Sequence, residues 1–361
     1  MKIGSLCTGY GGLDMAVEAH FNARTVWCSE FDKHASKLIE TRLGTKNYGD
    51  LKKIDWANIE PVDIITAGYP CQPFSHAGHR KGTDDPRHLF PYILQAISLL
   101  RPSYVILENV RGHLNLGFSE VLGHLASIGY SARWRTIRAA DIGAPHPRER
   151  LFILAYPNNS EPGDTQPGGC MENSEYRDNS DSYANANTFD SRGIRDMQGL
   201  QSRLNLLADL QVQAITNANT DAHKELRRTG GELPSESTGL QRGQDQGQAG
   251  RFDWGSSAYG AAIHRWESLT RLAPEPLVNE NKLNPEFVEW MMGLPYGWVT
   301  SVDIPRSQKL KILGNGVVPQ QAYEAIRLLL TQRMTNYQAN LFSYDKLSTG
   351  VIHSPTNPVH N

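Results

Sequence analysis

Cysteine is scarce in this chain: four residues in 361, at Cys7, Cys28, Cys71 and Cys170, with no C-x-x-C pair among them. That spacing excludes a disulfide framework and a zinc knuckle, and it fits a reduced, intracellular protein. Long apolar runs are missing too. The stretch around Ile93–Leu100 falls far short of the ~20 residues a bilayer span requires. The first residues, MKIGSLCTGYGG, hold no basic segment followed by an apolar one, so no secretory leader is read. An excess of one charge is absent as well, with a formal net charge of -2. A nucleic-acid-binding face would therefore need cations gathered locally, because overall basicity does not supply them. These absences predict a cytoplasmic protein with no membrane partner.

Aromatic residues are unevenly missing. Between 158 and 250 only Tyr176, Tyr183 and Phe189 are found, and all seven tryptophans lie elsewhere. That stretch is crowded with Asn, Gly, Ser, Gln and Asp, a composition that buries little core and reads as partly irregular. Aromatic and apolar residues return at Trp254, over Ile263–Leu272 and over Phe287–Trp298. A chain of this length suggests one main domain and a second module.

Residues 1–157 alternate short apolar runs with helical spacing. Lys2–Leu6 leads into a glycine turn, Gly9-Tyr10-Gly11-Gly12, and then Leu13–Phe21 reads as a helix. Thr25–Ser29, Val62–Ala67 and Tyr104–Leu107 read as buried parallel strands, with a helix over Phe90–Leu100 and a last one over Gln320–Arg333. This alternation predicts an α/β fold with a mainly parallel sheet and helices on both faces.

Four motifs carry chemistry. Glycines after a first strand let backbone approach a nucleotide-like cofactor beside a helix N-terminus. A dinucleotide fingerprint counted from Gly9 would place its third glycine at position 14, which is Asp14, so the nicotinamide reading fails there. Glu30, ending the second strand, is placed to accept ribose hydroxyls. Pro70-Cys71-Gln72 follows the third strand, where open α/β sheets bind ligands. A zinc deaminase would need P-C-x-x-C, but position 74 is Phe74, so that reading fails at the second cysteine. Glu108-Asn109-Val110 ends a buried strand, and an unpaired buried carboxylate there would be costly, so partners are expected. His146-Pro-Arg148-Glu-Arg150 precedes an apolar run, and strand alternation predicts both arginines on one side.

In order and spacing these motifs resemble the C5-cytosine-specific DNA methyltransferases of bacterial and phage type. Pro70-Cys71-Gln72 matches that family's P-C-Q, Glu108-Asn109-Val110 its E-N-V, and Gly314-Asn315-Gly316-Val317 its closing G-N-x-V. Asp50-Leu51 matches the acid near the adenine, Phe31 the ring beside it, and Leu89-Phe90 the L-F helix start. The resemblance covers 1–157 and about 283–330. Cys7-Thr8-Gly9 departs from the usual Phe-Ala-Gly, His146 from the usual Gln, and Leu283 through Pro295 lacks the usual arginines.

The resemblance implies a Rossmann-like, S-adenosylmethionine-dependent fold with a small irregular target-recognition region. It implies methyl transfer to C5 of a flipped cytosine in a specific duplex sequence, with no metal. Cys71 would add to C6, Glu108 would hold N3 and the amino group, and Arg148 and Arg150 would hold O2, with Pro70, Gln72 and Asn109 around the base. Gly9, Gly11, Gly12, Glu30, Phe31, Asp50, Leu51, Leu89, Asn315 and Val317 would line the cofactor. The partner would be double-stranded DNA, a cognate restriction endonuclease would be a partner in function only, and the chain would be a monomer. The organisation expected is a catalytic and cofactor domain over 1–157, target recognition over 158–282, a return over 283–335, and a loosely held tail over 336–361. Two alternatives stay open: a tRNA cytosine methyltransferase, whose C-F-T signature is missing here, and a catalytically silent DNA-binding relative.

Overall fold

The computed structural model describes residues 1–70, 89–158, 198–199, 201–202, 254, 259–279, 281–331 and 349–352. Strands β1 (Lys2–Leu6), β2 (Arg24–Ser29), β3 (Lys46–Asn47), β4 (Ile64–Gly68), β5 (Tyr104–Val110), β6 (Tyr130–Ile137) and β7 (Arg150–Pro157) join β10 (Thr349–Ile352) in one sheet. The order is β10-β6-β7-β5-β4-β1-β2-β3, and β8 (Leu277–Val278) pairs with β9 (Lys282–Leu283) as a separate hairpin. The run from β3 to β5 is parallel throughout, while β7, β6 and β10 add antiparallel neighbours. The expected mainly parallel α/β sheet is therefore present.

Strand alternation explains the two covered faces. Ile65, Ala67, Val105, Leu107, Ile153 and Ala155 meet helices α3 (Phe90–Leu100) and α4 (Phe118–Ser127). Their sequence neighbours Ile64, Ile106, Phe152, Leu154 and Tyr156 face the other way. There they meet α1 (Gly12–Phe21) and the last helix (Pro319–Thr331), here α8. Each buried side chain of this size is worth roughly 1.5–3 kcal/mol, so a one-residue register slip would expose a whole face. Local signals set the helix ends. Asp32 caps α2 (Lys33–Arg42) by accepting from the amides of His34 and Ala35. A proline in the first turn opens α3, and Arg101 in the left-handed region closes it ahead of Pro102.

Topology also places the crevice. From β1 the chain moves outward to β2 and β3, then crosses back to β4 and β5 on the other side. Such a reversal opens a crevice at the carboxyl ends of the central strands.

A third cluster lies beside this sheet. Helices α5 (Gly260–Leu269), α6 (Pro285–Met291) and α7 (Arg306–Asn315) surround it. Trp254, Ile263, Trp266 and Leu269 pack there with Trp290, Met292, Trp298 and Leu313. The indole N–H of Trp266 donates to the Trp290 carbonyl at 2.9 Å, and that of Trp298 to the Tyr10 carbonyl at 2.9 Å. A boundary at 282 cuts through this core, because α5 contributes to it as much as α6 does. The stretches 159–197 and 203–253 lie outside the described residues.

Several expectations shift. Strand β4 starts at Ile64 rather than Val62, because Asp63 is engaged by the Lys2 amide at 2.7 Å. The tail expected to be loose over 336–361 contains β10, which pairs antiparallel with β6 from Thr349–Arg135 to Ile352–Ala132. The edge of β6 offers unpaired backbone groups, and a short β-branched segment satisfies them.

Candidate active site

A cleft of about 700 Å³ opens at the carboxyl ends of β1, β2, β4 and β5. One half carries the fittings of a nucleotide-like site. Gly9 and Gly11 adopt φ 60 and 81, left-handed values open to glycine. The Glu30 carboxylate accepts from the Gly9 amide at 2.8 Å and the Asp32 amide at 2.9 Å while still lining the cleft. Phe31 leaves 79% of its surface exposed at the cleft wall, free to stack on a flat ring. Asp50 caps a short turn through the Lys52 amide and Leu51 is buried beneath it. Leu89, Asn315 and Val317 line the same wall.

The glycine turn also has a packing role that sequence reasoning did not see. A Cβ on Gly12 would stand 2.2 Å from the Val317 carbonyl oxygen, and one on Gly316 would stand 1.8 Å from the Tyr10 ring. The Tyr10 hydroxyl donates to that same Val317 carbonyl at 2.7 Å across 307 positions of sequence. The first and last motifs are thus one packed unit. Gly316→Ala is expected to destabilise the fold by about 1–3 kcal/mol, because overpacking here has only a buried ring to displace. Thermal unfolding checks this, and an unchanged midpoint would refute it.

Asp14, which excluded the dinucleotide pattern, has a positive role. Its buried carboxyl accepts from Ser5 Oγ at 2.8 Å and Thr66 Oγ1 at 2.5 Å, tying α1 to β1 and β4. An acid in the apolar first turn of α1, between Leu13 and Met15, was the available signal.

The other half of the cleft is built on β5 and β7. Glu108 is 7% exposed, and its Oε1 lies 3.0 Å from Arg150 Nε. Burial pushes its carboxyl up from 4.5 to about 7, against the opposing pull of Arg150 and then Arg148. Burial also depresses the Arg150 guanidinium, an effect only partly offset by Glu108. Asn109 Nδ2 donates to the Tyr69 carbonyl at 3.2 Å, and Tyr69 OH and His113 Nε2 lie 3.0 Å apart. The ends of β4 and β5 are therefore fastened together just before Pro70, which is exposed. Tyr69 and His113 carry no motif and were missed. Cys71 and Gln72 lie outside the described residues. The described cysteines are poor thiolate candidates, since burial pushes both Cys7 and Cys28 up to about 12.

Arg148 and Arg150 are not related by strand alternation. Strand β7 begins at Arg150, and Arg148 precedes it with φ 27. Arg150 lines the cleft, whereas Arg148 Nη2 donates to the carbonyls of Gly314 and Gly316. His146 Nε2 lies 2.9 Å from the Met291 carbonyl and links this loop to α6. No described helix is long and apolar enough to cross a membrane, and no three described His, Cys, Asp or Glu side chains gather as a metal set.

The family model for C-5 cytosine-specific DNA methylase matches residues 1–330. Type II methyltransferase M.NgoBI of Neisseria gonorrhoeae is 35% identical over 159 residues, which is 43% of this chain and 50% of that protein. Type II methyltransferase M.HhaI of Haemophilus parahaemolyticus is 34% identical over 159 residues, 43% of this chain and 48% of that protein. The matched part thus spans about half the length of these curated relatives. Among solved structures, a Spodoptera frugiperda DNMT2 mutant aligns with a TM-score of 0.52 at 17% identity, covering 91% of this chain and 99% of that one. The S. pombe Dnmt2 methyltransferase aligns with a TM-score of 0.50 at 18% identity, covering 91% and 98%. At such identities the structural likeness bears on the fold.

Proposed function

Because this chain belongs to the C-5 cytosine-specific DNA methylase family, we propose that it transfers a methyl group from S-adenosylmethionine to C5 of a cytosine in duplex DNA. The observation that carries this reading is the buried Glu108–Arg150 pair at one end of a cleft whose other end offers Glu30, Phe31 and the glycine turn. A carboxyl near 7 can donate to an acceptor ring nitrogen while a guanidinium beside it holds an oxygen, and cytosine presents both on one edge.

The donor fits the cofactor half. Glu30 keeps lone pairs for a ribose diol, Phe31 offers a stacking face, and Asp50 lies at the adenine end of the wall. S-adenosylmethionine supplies an electrophilic methyl group there. The chain's residues then make cytosine nucleophilic. Cys71 would add as thiolate to C6 while Glu108 shares its proton with N3, giving an enamine whose C5 takes the methyl group as the sulfur–methyl bond breaks and S-adenosylhomocysteine leaves. Loss of the C5 proton expels the cysteine. The base must leave the helix to reach Glu108, an unstacking cost of a few kcal/mol that pocket contacts offset. Residues 158–282 are the proposed target-recognition region, with α5 near its end anchored in the core that it shares with α6 and α7. The relatives' type II names favour a cognate restriction endonuclease as a partner in function only, and the chain acts as a monomer.

Bisulfite sequencing of a host expressing the chain tests the reading, since it reports modification and sequence together. Methylated cytosines in one sequence context are expected, and transfer to tRNA alone would overturn the choice of substrate. Within the same reading, Glu30→Ala is expected to weaken cofactor binding by roughly 1.5–3 kcal/mol, the scale for a charged hydrogen-bond partner. DNA affinity without cofactor should not change, and calorimetry against gel-shift titration separates the two. Equal losses in both would make Glu30 a structural residue whose amide contacts alone matter.

A further inference from the structure

Arg148 does not line the cleft that its neighbour Arg150 lines. Its Nη2 donates to the carbonyl oxygens of Gly314 at 2.9 Å and Gly316 at 2.5 Å. Those carbonyls sit at the end of α7, where the last turn has no intrahelical partners and the helix dipole favours a cation. The same backbone, from Gly314 to Val317, forms part of the cofactor wall.

Arg148 is itself held from behind. Its carbonyl accepts from Gln321 Nε2 at 2.7 Å, and that amide also donates to the Ile137 carbonyl at 2.6 Å. Gln321 is fully buried. The φ of 27 at Arg148 is a left-handed value that a non-glycine residue keeps only where its surroundings impose it. Its charge acts in the other direction, since Arg148 and Arg150 are the two cations that pull on the Glu108 carboxyl. Tyr10 feels Arg148, Glu108 and Arg150 together, and His146 lies close to both arginines.

We propose that Arg148 is a positioning residue that joins the two halves of the cleft, fixing the cofactor wall through the Gly314 and Gly316 carbonyls and Glu108 through its charge. It does not touch the base. This rests on the cofactor and base reading given above.

The test uses the full chain with Arg148→Gln and Arg148→Lys, and two readouts. One is calorimetric binding of S-adenosylhomocysteine without DNA, and the other is the pH profile of single-turnover methylation. Arg148→Gln loses both fork and charge. It is expected to bind S-adenosylhomocysteine roughly tenfold more weakly or worse, and its alkaline limb should move to higher pH because a cation has left Glu108. Arg148→Lys keeps the charge without the planar fork, so its limb should stay near that of the wild type while its affinity falls. A purely structural role would not separate the two variants by their limbs.

Arg148→Gln with wild-type affinity and a wild-type limb, losing only turnover, would overturn the proposal and put Arg148 on the base. If the wild type binds S-adenosylhomocysteine but methylates no cytosine, the functional reading fails, and calorimetry alone decides. Weakened binding then supports the link to the cofactor wall, and unchanged binding overturns it. A wild type that binds no S-adenosylhomocysteine overturns both.

Discussion

Cys71→Ser is expected to lower methyl transfer by on the order of 10⁴-fold or more, the scale for removing a covalent nucleophile, while the melting temperature stays at the wild-type value. The thiol is a few per cent thiolate near neutrality and strongly nucleophilic, whereas a hydroxyl needs an adjacent base to attack carbon. Pro70, exposed two residues beyond β4, directly follows a well-fastened framework. The Tyr69 carbonyl is held by Asn109, its hydroxyl is bonded to His113, and its ring packs against Phe90. None of those contacts involves the cysteine, so its replacement should not loosen the framework. The measurement is single-turnover transfer of a tritiated methyl group, paired with trapping on a 5-fluorocytosine target. Fluorine blocks departure of the C5 substituent, so the wild type should leave a covalent protein–DNA band and the variant none. A Cys71→Ser protein that keeps a tenth of the wild-type rate would remove Cys71 from the mechanism.

Much of the fold was legible because buried parallel strands write themselves as apolar runs. Tyr104–Leu107 and Val62–Ala67 have apolar neighbours on alternating faces, and both faces turned out to be covered. The ends of α3 were legible to the residue, since Pro91 and the Arg101-Pro102 pair are local signals. What failed was long-range. Which surface meets Gly12 or Gly316 depends on Tyr10 and Val317 packing across 307 positions, and no window of sequence contains both. The Arg148 side chain was misassigned because alternation was extended two residues before the strand that supports it, into a left-handed backbone. Tail residues Thr349–Ile352 read as loose because four residues carry too weak a pattern to announce an edge strand.

The rate of methylation by the wild type is expected to fall above about pH 7, and Glu108→Gln should abolish that fall. The carboxyl has been pushed from 4.5 to about 7 by burial, despite Arg150 and Arg148. A raised carboxyl means the native state holds its proton more tightly than the unfolded chain does. Its contribution to stability is complete below 4.5 and is lost as the pH rises through about 7. The same proton is the one shared with N3, so the active fraction declines over the same window. Ionisation of the Cys71 thiol works in the opposite sense, increasing with pH, and the two together give a bell. In Glu108→Gln an amide replaces the acid. It can donate a hydrogen bond at any pH but cannot pass a proton, so the rate should drop by on the order of 10²–10⁴-fold. Its profile should keep only the rising limb. Single-turnover rates from about pH 5 to about pH 9, at saturating cofactor and DNA, distinguish the cases. If Glu108→Gln keeps the descending limb at the same pH, some other group carries the proton and Glu108 is left with a hydrogen-bonding role on the base.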